Sequence, residues 1–72
     1  MKRQPVESAS IASIGYDAAV GTLEVEFRSG GVYHYYAVPR EVHRAFLAAD
    51  SHGRFFRTSI RDRYPCRRAD QP

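Results

Sequence analysis

Residues 22–28 place the strongest constraint on the fold, because their side chains alternate between apolar and charged. The order is Leu23, Glu24, Val25, Glu26, Phe27 and Arg28. This period of two predicts a β-strand with one face in a core and the other toward water. Ser29, Gly30 and Gly31 follow, and glycine supplies the positive φ angles that tight hairpin loops require. We therefore expect residues 32–37 to return as the antiparallel partner strand.

The length of the hairpin loop decides which way the tyrosines of the second strand point. A two-residue loop at residues 29–30 would turn Tyr33 and Tyr35 outward, since neighbouring residues of a strand alternate between faces. A three-residue loop at residues 29–31 would pair Phe27 with Tyr33 and turn both tyrosines inward. We favour the three-residue loop, because it keeps the intervening histidine out of the core and because glycine suits its third position.

In the favoured register, the outer face of the hairpin carries both acidic and aromatic side chains. His34 and Tyr36 then lie on the same face as Glu24 and Glu26. Carboxylates repel phosphate, so the sheet is expected to be a poor platform for nucleic acid. The tyrosines of the inner face are interpreted as core residues.

The rest of the chain predicts one more strand and two helices. Residues 8–14 are expected to form the first strand. Pro39 suits the first turn of a helix, and apolar residues at helical spacing predict that helix over residues 39–49. Ser51 can cap a second helix that begins near residue 54 and runs to about residue 64. The expected fold class is α+β, a three-stranded antiparallel β-meander followed by two C-terminal helices packed on one face. The expected core is Ile11, Ile14, Leu23, Val25, Phe27, Tyr33, Tyr35, Val38, Val42, Phe46, Phe56 and Ile60.

The length of 72 residues predicts a single domain. Residues 1–7 are expected to be a flexible leader, 8–64 the domain, and 65–72 a tail. A chain of this size leaves little room for a buried cleft, which favours binding over catalysis, so we expect no enzyme activity and no small-molecule substrate. The single cysteine and the lack of a long apolar run indicate a cytoplasmic protein that does not enter a membrane.

The histidines and the cysteine do not have the spacing of a catalytic or metal site. His34, His43 and His52 stand nine residues apart, with Cys66 fourteen residues further on. Structural zinc sites use closer pairs of ligands, and the thiol lies in the predicted tail with nothing fixed to orient it. We therefore expect no metal, no cofactor and no catalytic residue.

The positive charge of the chain is concentrated near its C-terminus. Residues 51–72 contain six arginines and two aspartates, whereas residues 1–50 contain five cationic and six acidic side chains. At helical spacing, Arg54, Arg57 and Arg61 fall on one arc, opposite the apolar side of the second helix. Such a stripe is often only a solvated helix face, but it has few acidic neighbours, so its guanidinium groups are free for an external anion.

Several motifs in fixed order resemble a known family. They are Tyr16-Asp17, the alternating strand 23–27, the Gly-x-Tyr-x-Tyr motif of residues 31–35, Val38-Pro39, and the pattern A-x-S-x-G-x-x-F-x-x-x-I of residues 49–60. Together they resemble the KTSC domain, a short module found at the C-terminus of some lysyl-tRNA synthetases and as a small stand-alone bacterial protein. The resemblance covers residues 8–64 and implies a role in RNA binding.

Two classes of function follow from these observations. The first is a nucleic-acid-binding module, with RNA favoured by the resemblance. Its phosphate contacts would come from Arg54, Arg57, Arg61, Arg67 and Arg68, with His34 or Tyr36 stacking at the margin. The alternative is a protein-interaction module that docks on an acidic partner or pairs through an open sheet edge.

Overall fold

The computed structural model describes residues 2–70 and contains a five-stranded antiparallel sheet with helices on one face. The elements are strand β1 at Arg3–Pro5, β2 at Ile11–Asp17, β3 at Thr22–Phe27, β4 at Val32–Tyr35, helix α1 at Arg40–Ala48, helix α2 at His52–Phe55, a π-helical turn at Phe56–Ile60, and strand β5 at Cys66–Arg68. The order of the strands in the sheet follows their order in the chain. The predicted α+β class is confirmed.

The prediction of three strands is wrong, because β1 and β5 extend the sheet at its two edges. They lie in residues 1–7 and 65–72, which we expected to be a leader and a tail. All six side chains of these two strands are exposed, so neither strand has the apolar alternation by which a strand is recognised in a sequence. Backbone pairing with β2 and β4 places them in the sheet instead.

The loop between β3 and β4 has three residues, as favoured, but it lies one residue earlier than predicted. It comprises residues 28–30, because the amide of Phe27 donates to the carbonyl of Gly31 at 2.8 Å. Gly30 has a φ of 115°, which only glycine adopts readily, and this fixes the turn at that position. Val25 therefore pairs with Tyr33, where we had predicted Phe27.

This register differs from the predicted one by two residues, so each side chain keeps its predicted face. Tyr35 is buried against the core and Tyr33 is partly buried beside it, whereas His34 lies on the outer face. The inward orientation of the two tyrosines is therefore confirmed.

The core lies between the sheet and the helices, and its buried apolar residues all belong to the predicted core. They are Ile11, Ile14, Leu23, Val25, Tyr35, Val38, Phe46, Phe56 and Ile60. The other three predicted members, Phe27, Tyr33 and Val42, are partly buried against them. The ring of Phe56 makes edge contacts with those of Phe27 and Tyr35, at centroid distances of 5.1 and 5.5 Å. These contacts attach the π-helical turn to the sheet.

The second helical segment ends earlier than predicted. Ser51 caps it as expected, since its Oγ accepts a hydrogen bond from the amide of Arg54 at 3.2 Å. The segment then widens, and the amide of Arg61 donates to the carbonyl of Phe56 at 2.8 Å, a π-type bond. Arg61 is extended and Asp62 is left-handed with a φ of 67°. The helical segment therefore stops at Ile60 rather than near residue 64, and the chain turns toward β5.

Candidate nucleic-acid interface

Three of the predicted site residues lie on the second helical segment or directly after it. We call Arg54, Arg57 and Arg61 the arginine face. Phe56 and Ile60 anchor the segment in the core, and the three arginines are exposed. The sequence pattern predicted this exposure, although the π-helical turn and the extended Arg61 that follows it depart from the regular helix that we expected.

The guanidinium groups of the arginine face have little internal compensation. Among residues 2–70, no carboxylate lies within 4.0 Å of Arg54 or Arg57. Arg61 has one weak neighbour, Asp62, at 3.9 Å, and both side chains are mostly exposed. Exposed pairs of this length contribute little energy, so Arg61 can also turn to an external anion. The arginine face thus offers charged hydrogen-bond donors, and the planar guanidinium group of each arginine suits bidentate contacts with phosphate.

The other two predicted arginines lie elsewhere. Arg68 is held by Asp70, with Nε to Oδ1 at 2.8 Å, and its guanidinium lies 5.7 Å from the centroid of the Tyr33 ring. The hydrogen bond between the two side chains raises the pKa of Arg68 and lowers that of Asp70. Arg67 precedes Arg68 on β5 and pairs with His34, so it points to the opposite face of the sheet. The structure therefore divides the predicted arginines between separate surfaces.

His34 and Tyr36 lie on the outer face, away from the arginine face. Their rings make an edge contact at a centroid distance of 6.3 Å, and Tyr36 is 36 % exposed. Nε2 of His34 lies 2.6 Å from Oε2 of Glu24, its partner on β3. The other carboxylate oxygen of Glu24 accepts a hydrogen bond from Arg3 at 3.2 Å. A carboxylate thus occupies the middle of this surface, in agreement with the acidic outer face predicted from the sequence.

The contact between Arg3 and Glu24 crosses a whole strand, which Gly15 makes possible. Arg3, Gly15 and Glu24 occupy consecutive positions in one row across β1, β2 and β3. A Cβ atom at Gly15 would lie 3.0 Å from Cγ of Arg3 and 3.1 Å from the carbonyl of Lys2, which is too close for normal contacts. The role of Arg3 was not predictable from the sequence, because the exposed strand β1 carries no apolar alternation.

A groove of about 220 Å³ lies where α1 meets α2, next to the arginine face. Its walls are formed by Ala49, Asp50, Ser51, Arg54, Phe55 and Thr58. The ring of Phe55 stacks on that of Phe46, with centroids 5.5 Å apart and planes 15° apart. No pattern in the sequence predicts this groove, because its residues come from a helix end, a linker and the next helix.

The histidines and the cysteine are dispersed over the structure. The ring of His43 stacks on Tyr16 at a centroid distance of 4.6 Å, and its partial burial lowers its pKa. Nε2 of His52 lies 3.3 Å from the carbonyl of Leu47, and Cys66 is exposed on β5. Over residues 2–70, no three His, Cys, Asp or Glu side chains are grouped so that they could hold a metal ion.

None of the helices within residues 2–70 combines the length and the apolar content that crossing a bilayer requires.

The sequence of this chain is similar to those of known proteins over most of its length. Residues 7–64 match the KTSC domain family. An uncharacterized protein from Stutzerimonas stutzeri (strain A1501) is 55 % identical over 56 residues, which cover 78 % of this chain and 79 % of that protein. A protein from Tsukamurella paurometabola is 46 % identical over 61 residues, covering 85 % and 91 %.

The fold is also similar to that of a protein of known structure. The crystal structure of a KTSC domain protein from Yersinia pestis matches with a TM-score of 0.93 at 46 % sequence identity. The match covers 94 % of this chain and 96 % of that one, so the similarity of fold extends beyond residues 7–64.

Proposed function

This chain belongs to the KTSC domain family, and we propose that it is a non-catalytic module that binds RNA through phosphate contacts from its C-terminal helical segment. The observation that carries the proposal is the arginine face, in which Arg54 and Arg57 are exposed and, among residues 2–70, have no carboxylate within 4.0 Å. Such groups bind phosphate in a way that is independent of sequence and sensitive to salt. RNA is preferred over DNA because of the role that the family resemblance implies, and a cytoplasmic location is part of the proposal.

Charge also favours the arginine face over the outer face of the sheet. Glu24 lies in the middle of the outer face, and a phosphate approaching His34 would meet this carboxylate. Arg67 and Arg3 lie on that surface as well, but Arg3 already donates to Glu24. We therefore assign the main contacts to Arg54, Arg57 and Arg61, and only marginal ones to Arg67, His34 and Tyr36.

The test is a binding titration of a fluorescently labelled oligouridylate of about ten nucleotides, followed by anisotropy. If three arginines contact phosphate, raising the salt from about 50 to about 200 mM weakens binding by about 20-fold, because each contact with a single strand contributes about −0.7 to the logarithmic salt slope. The double variant Arg57→Glu, Arg61→Glu should bind more weakly and lose about two-thirds of that slope.

The matched control is the double variant Arg40→Glu, Arg44→Glu. Both residues are exposed on α1, and the substitutions change the net charge of the chain by the same amount. The control should keep the wild-type salt slope. Equal losses in the two double variants would attribute binding to net charge rather than to the arginine face, and would refute the proposal.

A protein-interaction module is the alternative function, and the two additional strands of the sheet affect how it could pair with a partner. The strands that we expected at the open edges, β2 and β4, are covered by β1 and β5. The edges that remain are three residues long, and β5 carries two arginines, features that discourage pairing with another chain. An acidic partner would instead use the arginine face. Polyglutamate with the same net charge as the oligouridylate distinguishes an RNA ligand from an acidic protein partner in the same titration. If polyglutamate binds as tightly as the RNA, the protein partner is favoured.

A further inference from the structure

The groove beside the arginine face combines three chemical groups that recognise different parts of a nucleotide. Phe55 supplies an aromatic ring, Asp50 an exposed carboxylate and Arg54 an exposed guanidinium. Arg54 belongs to both the groove and the arginine face, so the two surfaces are continuous. Resting on the RNA-binding function proposed above, we propose that this groove holds a guanine base of single-stranded RNA, with the adjoining phosphate on Arg54.

The size of the groove suits one base. Its volume of about 220 Å³ is below the range of roughly 300–1,000 Å³ that is usual for pockets that enclose whole ligands. Phe55 is stacked on Phe46, so its ring is held in place and does not have to be ordered on binding. Stacking of a base on an aromatic ring is a main source of affinity in proteins that bind single-stranded nucleic acid.

The carboxylate of Asp50 determines which part of the RNA enters the groove and which base it prefers. Its negative charge repels phosphate, so the base enters and the backbone stays on the arginine side. A carboxylate only accepts hydrogen bonds, and it accepts them at two oxygens. Guanine presents two adjacent donors, N1–H and the N2 amino group, on its Watson–Crick edge. Adenine and cytosine present a single amino group there, and uracil one N–H flanked by carbonyls, so guanine is the best match.

The local backbone keeps the walls of the groove in position. The hydroxyl of Thr58, within the π-helical turn, donates to the carbonyl of Arg54 at 3.0 Å and so ties the turn to the end of α2. π-Helical turns of this kind are rare and are frequent at functional sites. Nη1 of Arg57 lies only 3.6 Å from the position that a Cβ atom of Gly53 would take, so this side chain extends back along α2. Its guanidinium thus lies beside Gly53, the residue that precedes Arg54 in the chain.

The test compares two labelled oligonucleotides of about ten residues, one entirely uridine and one with a single central guanosine. The guanosine should increase the affinity of the wild-type protein by about tenfold, the scale of one stacked and hydrogen-bonded base. A central adenosine should give a smaller gain. Asp50→Ala should reduce the preference for guanosine to less than about twofold, while Glu41→Ala, which removes an exposed carboxylate from α1, should retain it.

A second measurement tests the groove with single nucleotides in place of an oligonucleotide. Guanosine monophosphate, but not uridine monophosphate, should shift the amide resonances of residues 50–58 of the labelled wild-type protein, and Phe55→Leu should weaken those shifts. If the oligouridylate binds but guanosine adds nothing, the groove is not a base site and the proposed function stands. If neither oligonucleotide binds while the guanosine nucleotide still shifts the groove, the proposed function fails and the groove remains a purine site. No response to any guanine probe overturns the present proposal.

Discussion

Glu24 and His34 lie directly opposite each other on the outer face of the sheet, with 2.6 Å between Oε2 and Nε2. Arg3 binds the other oxygen of the same carboxylate, so Glu24 connects three strands, β1, β3 and β4. β1 is short and all its side chains are exposed, which means that little apolar burial holds it. We therefore regard Glu24 as a structural residue of the sheet rather than as part of a binding site.

Replacing Glu24 by Gln should lower the free energy of unfolding by about 1 kcal/mol, the scale of a hydrogen bond between partly buried polar groups. The measurement is urea unfolding of Glu24→Gln, His34→Gln and the double variant. A coupling energy of about 0.5–1 kcal/mol between the two positions is expected for a cross-strand pair. Strictly additive effects of the two substitutions would show that the short contact contributes nothing.

Ala37 follows β4 with a φ of 60°, in the left-handed region that residues with a Cβ atom avoid. The strain is about 1–2 kcal/mol, and glycine would relieve it at the expense of a more flexible unfolded chain. Since the side chain of Ala37 is exposed, no packing is lost. Ala37→Gly should therefore increase the free energy of unfolding by about 0.5 kcal/mol or more in urea titrations.

Asp62, with a φ of 67°, provides the comparison for Ala37. Aspartate tolerates the left-handed region better than alanine, so Asp62→Gly should stabilise the protein less than Ala37→Gly, or not at all. A loss of stability on replacing Ala37 by Gly would mean that the strain at this position is negligible.

The sequence predicted those parts of the fold in which burial leaves a periodic pattern. The alternation around Val25 and the helical spacing around Phe46 identified the inner face of the hairpin and the buried side of α1, and the buried apolar residues among residues 2–70 all belong to the predicted core. The edge strands had no such pattern, because they bury no side chain. The early end of the second helical segment was also hidden, since it depends on a π-type bond between Arg61 and Phe56.

The candidate site was predictable to the same extent. The exposure of Arg54, Arg57 and Arg61 followed from the burial of their neighbours. The placement of Arg67 and Arg68 on different faces of the sheet was not predictable. Adjacent residues point to opposite faces when the segment is a strand, and we had expected a tail. The groove was not predictable either, since Asp50 and Phe55 line the same groove only because the chain turns between α1 and α2.

Arg57 and Arg67 provide a direct comparison of the two charged surfaces. Arg57 belongs to the arginine face, whereas Arg67 is the cross-strand partner of His34 on the outer face of the sheet. Arg57→Glu should weaken the binding of oligouridylate by about fivefold or more, and Arg67→Glu by less than about twofold, because phosphate contacts act mainly where they are made. Tyr36→Ala should likewise weaken the binding of oligouridylate by less than about twofold. The opposite ranking in anisotropy titrations would place the RNA on the outer face.

His43 should make the stability of the protein depend on pH. Partial burial against Tyr16 disfavours the charged imidazole and lowers its pKa below the usual value of about 6.5. The unfolded chain therefore takes up this proton more readily than the folded protein. Its contribution to stability is complete above about pH 6.5 and is lost as the pH falls toward the lower pKa of the folded state. His43→Phe can keep the stacked ring but cannot titrate, so the free energy of unfolding of this variant should decrease less than that of the wild type between about pH 7.5 and about pH 5.5. The two proteins differ only at this residue, so equal decreases would exclude His43 as a source of the pH dependence.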